Sequence, residues 1–110
     1  MSSICLLFIC SKNQWRSPTA EKIFQKHPLV DVRSAGTARS ARRQVQFADI
    51  LWAVVIFVME QKHASRLRGE FRAVLKYKEL VVLDIPDEFR FMDPELIELL
   101  TTAINPSINS

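Results

Sequence analysis

The stretch Ile4-Cys5-Leu6-Leu7-Phe8-Ile9 decides the fold, because six consecutive apolar residues are typical of a strand buried on both faces. A polar segment, Cys10–Ser17, follows this strand. Ser17 and Pro18 predict an N-cap and the first residue of a helix, which Pro28 ends. The predicted inner stripe of this helix consists of Ala20, Ile23, Phe24 and His27.

The same alternation of strand and helix continues along the chain. Apolar runs predict strands at 29–33, 54–59 and 80–83, and periodic patterns predict helices at 45–52 and 60–71. Val45, Ala48 and Trp52 are expected to face inward from the first of these helices. A last helix opens at Asp93-Pro94 and is expected to end at Asn105-Pro106, with its apolar face formed by Leu96, Ile97, Leu99, Leu100, Ala103 and Ile104.

This order predicts an α/β fold in three layers, with a four-stranded parallel sheet between helices. The length of 110 residues predicts one domain, residues 1–110. Ligands of such sheets bind beyond the carboxyl ends of the strands. We therefore expect the chemistry just after residues 9, 33, 59 and 83.

Composition narrows the class of protein. Hydrophobic residues make up 48% and charged residues 25%, and the net charge is +3. This mild excess suits an anionic ligand and falls short of a dedicated nucleic-acid binder, so no nucleic-acid partner is expected. The apolar runs are too short to span a membrane, and Met1-Ser2-Ser3 lacks the positive charge of a signal peptide.

The two cysteines predict a reducing compartment. Cys5 and Cys10 share one predicted strand, where five residues span roughly 16 Å, too far for a disulfide. Free thiols indicate a cytoplasmic location. Since further cysteine or histidine ligands at suitable spacing are missing from the sequence, no zinc site is expected.

The segment Cys10-Ser11-Lys12-Asn13-Gln14-Trp15-Arg16-Ser17 predicts a site for phosphate chemistry. Main-chain N–H groups before a helix form a cradle for anions, and the arginine at Arg16 can grip two phosphate oxygens. The same positive field favours a thiolate at Cys10, which Ser17 could stabilise with a hydrogen bond. Asn13 suits a left-handed loop conformation. The expected substrate-binding residues are Ser11, Lys12, Asn13, Gln14, Trp15 and Ser17.

A nucleophile, an anion cage and an arginine clamp together favour phosphoryl transfer through a cysteinyl-phosphate. The alternative is that Cys10 is simply a small buried apolar residue, as lone cysteines at strand ends usually are. The conjunction of strand end, spacing, arginine, serine, proline and helix favours the functional interpretation.

The same residues resemble the low-molecular-weight protein tyrosine phosphatases. Cys10–Ser17 is similar to their Cys-x5-Arg-Ser loop, with Asn13 at its matching position, and Ser17–Glu21 resembles the Ser-Pro-x-Ala-Glu that follows. Ser34-Ala35-Gly36-Thr37 and Phe57-Val58-Met59-Glu60 resemble later segments of the family. The resemblance implies a phosphotyrosine-phosphatase-I-like fold, a cysteine-dependent hydrolase of aryl phosphates or phosphorylated proteins, and no metal or other cofactor.

Several positions depart from the family pattern. The chain is short, like the compact bacterial branch of the family, and lacks part of a substrate-facing loop between Thr37 and Ser40–Arg43. Lys12 replaces a common glycine. Trp15 replaces a second loop cysteine, so the family's disulfide within the loop is not available.

The resemblance also implies a general acid after the fourth strand, where this chain reads Asp84-Ile85-Pro86-Asp87-Glu88-Phe89. Asp87 followed by Phe89 matches the family's pattern best, and Asp84 at the strand end is the alternative. Acidic residues in loops are often only turns or caps. We assign that plain role to Asp93, before Pro94.

Several aromatic and basic residues have both a functional and a structural interpretation. Trp15, Phe89 and Phe91 could form aromatic walls for an aryl phosphate, although at least one is expected to be core. Arg39, Arg42 and Arg43 could attract a phosphorylated or nucleic-acid partner, but a solvated face is the commoner role of such a cluster. His27, His63 and Cys5 are expected to be structural.

Other activities compete with phosphate ester hydrolysis. Thiol-coupled arsenate reduction needs resolving cysteines that the sequence lacks, and phosphocysteine carriers of similar topology lack an arginine such as Arg16. A catalytically weak module that binds a phosphorylated ligand is the main alternative, because fold and motif do not guarantee activity.

Overall fold

A computed structural model describes residues 3–109. Its four strands are β1 (Ile4–Cys10), β2 (Val30–Gly36), β3 (Val55–Val58) and β4 (Glu79–Val82). They form one sheet in the order β2-β1-β3-β4, and every neighbouring pair is parallel. The helices are α1 (Arg16–Phe24), α2 (Phe47–Trp52), α3 (Gln61–Leu75) and α4 (Pro94–Asn109).

Alternating strand residues divide the core into two layers. Leu6 and Phe8 pack with α1 and α4 on one face of the sheet. Leu7 and Ile9 pack with α2 and α3 on the other. Because β1 lies in the centre of the sheet, both of its faces are covered and its apolar run is continuous. The predicted three-layer α/β/α fold is confirmed.

The start of α1 differs from the prediction. The helix begins at Arg16 and its N-cap is Trp15, which makes no side-chain capping bond, so the predicted cap at Ser17 is wrong. Pro18 is accepted as the third helical residue because the first four N–H groups of a helix have no partner within it. The helix ends at Phe24, four residues before Pro28.

The end of α4 also differs. The helix continues through Pro106 to Asn109, so the predicted stop at Asn105-Pro106 is wrong. Ile104 and Ile108 are both buried against the sheet, and this burial outweighs the hydrogen bond that Pro106 cannot donate. Leu99 and Ala103, expected on the inner face of α4, are exposed.

The inner face of α2 is only partly carried by the predicted residues, because Trp52 packs against the core as expected but Ala48 does not. Ala48 is exposed, while Asp49 and Ile50 are buried. Val45 is buried as expected, but it precedes the helix. None of the helices in the described range combines the length and hydropathy that a bilayer crossing requires.

Candidate active site

Five loop residues, 11–15, connect the carboxyl end of β1 to the first residue of α1. Asn13 has a φ of 54°, which confirms the left-handed conformation expected of it. Its buried amide Nδ2 donates to Oγ of Ser17 and to Oγ of Ser34, both at 2.9 Å. Ser34 in turn donates to Glu21 at 2.5 Å. These bonds hold the loop in its curved form.

The loop is also fixed from outside by the segment that follows β2. Main-chain carbonyls of Cys10, Ser11 and Lys12 accept hydrogen bonds at 3.0 Å from the amides of Thr37, Ala38 and Arg42. Gly36 permits this approach, since a Cβ there would lie 2.5 Å from the carbonyl oxygen of Ser11. The glycine is therefore required for space rather than for its backbone angles.

Because the carbonyls of Cys10, Ser11 and Lys12 are bonded to the segment after β2, the main-chain amides of the loop remain available to a ligand. The main-chain N–H groups of residues 11–16 donate to no main-chain carbonyl anywhere in 3–109. The positive end of α1 lies at the same place. Free amides beside a helix N-terminus are the arrangement that binds anions in proteins, so the loop keeps the geometry that the sequence analysis expected.

Cys10 ends β1 at the floor of this loop, and its side chain is buried. Its Sγ lies 3.0 Å from Oγ of Ser17. Because Ser17 Oγ accepts from Asn13, the hydroxyl hydrogen of Ser17 is available to the sulfur. Ala35 offers a second acceptor for that hydrogen, at the longer distance of 3.4 Å. The arrangement can stabilise a negative charge on Sγ.

Arg16 is buried, with 2% of its side chain exposed, and it is the largest of the fully buried side chains in 3–109. Its Nη1 donates to Oε2 of Glu60 at 2.6 Å and to the carbonyl of Ile85 at 2.7 Å. These two acceptors fix the plane of the guanidinium. The other edge, Nε and Nη2, forms no hydrogen bond within 3–109, although Oδ1 of Asp87 lies 3.7 Å from Nε, and this edge has the geometry to bind two oxygens of a phosphate.

Glu60 is a residue to which the sequence analysis gave no role. It directly follows Met59 beyond the end of β3, so its position at a strand end was a signal for it. Burial raises the pKa of Glu60, but the hydrogen bond and charge of Arg16 outweigh burial and hold the pKa below its ordinary value of 4.5. Glu60 is therefore a carboxylate that orients Arg16.

His63 was expected to be structural, and the structure brings it to the site. Its Nδ1 accepts from the main-chain N–H of Glu60 at 3.0 Å, and its Nε2 lies 2.8 Å from Oγ of Ser11. Burial, with the charge of Arg16, lowers the pKa of His63 to about 4. The ring is thus neutral near pH 7, with its hydrogen on Nε2 and directed at Ser11.

Of the two candidate acids, Asp87 lies at the pocket. It lines the same cavity as Cys10, and its Oδ1 is 3.7 Å from Nε of Arg16. Asp84 lines a different surface with Glu60 and Lys62, and has a φ of 57°. This placement favours Asp87 as the general acid.

Four of the six predicted substrate-binding residues line the pocket, while Asn13 and Ser17 lie behind it in the hydrogen bonds described above. Ser11, Lys12, Gln14 and Trp15 line it together with Cys10 and Arg16. Trp15 is half-buried there, as the prediction of an aromatic wall requires. Phe89 belongs to the core, and Phe91 is exposed.

Two kinds of comparison with known proteins gave matches. Residues 5–50 match the family model of the low molecular weight phosphotyrosine protein phosphatases. The resemblance to this family is confirmed. No curated protein sequence matches the chain significantly.

Solved structures of low molecular weight phosphatases have the same fold. The Escherichia coli K30 tyrosine phosphatase Wzb, in complex with phosphate, is 20% identical, with 98% of each chain covered and a TM-score of 0.78. Vibrio vulnificus Wzb with benzylphosphonate is 22% identical, covering 98% of this chain and 99% of its own, at 0.77. The YwlE arginine phosphatase of Geobacillus stearothermophilus is 21% identical, covering 94% and 92%, at 0.76.

Proposed function

We propose that the protein is a phosphomonoester hydrolase that acts on aryl phosphates, such as phosphotyrosine, through a cysteinyl-phosphate intermediate. Its substrate is a phosphorylated protein or a small aryl phosphate. One observation supports the proposal: Cys10, Arg16 and Asp87 line one small pocket with loop residues whose main-chain amides donate to no main-chain carbonyl of 3–109. The half-buried ring of Trp15 at its mouth favours an aromatic leaving group.

In the first step, Sγ of Cys10 attacks phosphorus and the ester oxygen leaves. Ser17 stabilises the thiolate before attack, and Arg16 with the loop amides holds the three non-bridging oxygens. Asp87, protonated, gives its hydrogen to the leaving oxygen. The products of this step are a free phenol and a phosphate bound to Cys10.

In the second step, water attacks the same phosphorus and the bond to Sγ breaks. Asp87, now a carboxylate, accepts the proton of the attacking water. Inorganic phosphate and the thiolate of Cys10 are released, so charge and atoms balance without a metal or other cofactor. The two free cysteines support a reducing compartment, and we propose a cytoplasmic location on that ground.

The experiment compares wild type with Cys10→Ser and with Cys5→Ser as the matched control. We expect wild type and Cys5→Ser to hydrolyse p-nitrophenyl phosphate and Cys10→Ser to be inactive. Phosphotyrosine and phosphoarginine peptides, assayed in parallel, test the leaving-group assignment, and the first should be preferred. Binding of vanadate by wild type without any turnover would overturn the hydrolase and support a phospho-ligand-binding module.

A further inference from the structure

We propose that a basic rim beside the pocket, formed by Lys12, Arg39 and Arg42, recognises acidic side chains that flank the phosphorylated residue of a protein substrate. This inference rests on the proposed function and names a feature of its substrate. The evidence for the rim does not involve Cys10, because the rim consists of side-chain charges, whereas the proposed phosphate site consists of the loop amides, Cys10 and Arg16.

The rim is attached directly to the loop that forms the pocket. The main-chain amide of Arg42 donates to the carbonyl of Lys12, and that of Ala38, next to Arg39, donates to Ser11, both at 3.0 Å. The amine of Lys12 also donates to the hydroxyl of Ser40. Since Ser11 and Lys12 line the pocket, the segment 39–42 is bonded directly to two residues of its wall.

The charges of the rim are available to a ligand. Lys12, Arg39 and Arg42 are exposed, and none of them forms an ion pair with another residue of 3–109. Arg33 and Arg43 behave differently, because both pair with the buried carboxylate of Asp49. These two arginines therefore serve the fold.

A second, larger cleft, which Asn13 helps to line, is a weaker candidate for an anion. Arg33, Arg42 and Arg43 line it together with Glu21 and Ser34. Asp49 pairs with both Arg33 and Arg43, Glu21 adds a second negative charge to the lining, and Arg33 also stacks on Trp52 at 4.2 Å. Of the three arginines that line this cleft, Arg42 alone forms no ion pair within 3–109, and it already belongs to the rim.

The chemistry of the rim fits carboxylates. A guanidinium fork binds a carboxylate through two parallel hydrogen bonds, and an amine adds a third charge beside it. Three unpaired cations, one on the loop and two on the segment bonded to it, match one or two acidic side chains. They are too few for the extended positive surface that a nucleic acid requires.

The test measures kcat/KM for phosphotyrosine peptides whose flanking residues are Asp or Asn, at low and high salt. Wild type is compared with Arg39→Gln/Arg42→Gln. The matched control, Arg68→Gln/Arg72→Gln, removes the same charge from exposed positions further along α3. Each kcat/KM is divided by the kcat/KM of the same variant for p-nitrophenyl phosphate. No turnover of p-nitrophenyl phosphate would mean that the hydrolase proposal fails, whereas turnover without a peptide preference would mean that only the rim proposal fails.

We expect wild type and the α3 control to prefer the Asp peptide about two- to fivefold for each acidic residue, the range of an exposed ion pair. The preference should fall toward one in the rim variant, and in wild type at high salt. Equal rates for both peptides in wild type, or an equal loss in the α3 control, would overturn the proposal. Inhibition by a single-stranded oligonucleotide without any peptide preference would overturn it as well and assign the rim to nucleic acid.

Discussion

Nε2 of His63 lies 2.8 Å from Oγ of Ser11, so a helix on one face of the sheet is joined to the loop that forms the pocket. Because Nδ1 of the same ring accepts from the amide of Glu60, the hydrogen on Nε2 must be donated to Ser11. The hydroxyl hydrogen of Ser11 is then directed away from His63. The neutral ring of His63 therefore holds both Ser11, which follows Cys10, and the backbone of Glu60, which orients Arg16.

The first prediction is a loss of stability in mild acid. The pKa of His63 is about 4 in the folded protein, against an ordinary value of 6.5. Between these two values the unfolded chain binds a proton that the folded chain does not. The free energy of unfolding should therefore fall as pH drops from 6.5 to 4, by up to ~3 kcal/mol, since one pKa unit corresponds to about 1.4 kcal/mol.

Urea unfolding at pH 7.5, 5.5 and 4.5 measures this slope, and His63→Gln is the comparison. Glutamine can still donate to Ser11 and does not titrate, so the variant should lose much of the slope in this window. The lowered pKa of Glu60 adds a further loss of stability, but only below its ordinary value of 4.5. An unchanged slope in His63→Gln would contradict the assignment to His63.

The second prediction concerns the acid. Asp87→Asn should lower kcat about 10²–10⁴-fold for phenyl phosphate, and less for p-nitrophenyl phosphate, whose leaving group needs little protonation. Asp84→Asn is the matched control, because asparagine tolerates the positive φ of position 84. A larger loss in the Asp84 variant would move the acid to that residue.

The third prediction contrasts the two glycines. Gly36→Ala should destabilise the protein by about 1–3 kcal/mol, because the new Cβ would meet the carbonyl of Ser11 at 2.5 Å. It should also lower kcat, since that carbonyl belongs to the anion loop. Gly69→Ala in α3 meets nothing within 4 Å and should stabilise the protein by about 0.5–1 kcal/mol. Thermal unfolding of both variants decides whether the close approach at Gly36 is needed.

The fourth prediction tests the fork of Arg16. Arg16→Lys keeps the charge but cannot bind Glu60, Ile85 and two phosphate oxygens together, so kcat should fall about 10²–10³-fold. Arg66→Lys, at an exposed pair with Glu70, should retain activity. Similar activities in the two variants would mean that Arg16 acts only as a charge.

The sequence predicted the four strands and most of their bounds, because buried parallel strands have a clear apolar pattern. The predicted end of the second strand at residue 33 is wrong, since Ser34, Ala35 and Gly36 still pair with β1. Ile4–Cys10 and Val55–Val58 are observed almost where the runs place them. Helix ends were harder, since local cap and proline rules compete with packing. Ser17 is used by Cys10 rather than as a cap, and Ile108 keeps α4 helical beyond Pro106.

The sequence predicted the part of the candidate site that lies within one continuous segment of the chain. Cys10, Asn13, Arg16 and Ser17 lie on one loop and helix start, where spacing fixes their geometry. Glu60 and His63 were missed because they join the site across the sheet, by contacts that spacing along the chain does not encode. The rule that parallel strands end at a common edge predicted chemistry just after residue 59, but it did not single out these two side chains.

The lone sulfur at the end of β1 has a chemical consequence. Cys5 is five residues back along the same strand, and the sequence has only these two cysteines. A sulfenic acid formed on Cys10 by peroxide therefore has no neighbouring thiol with which to condense. Oxidative inactivation must be reversed by an external thiol, or it proceeds to the irreversible sulfinic acid.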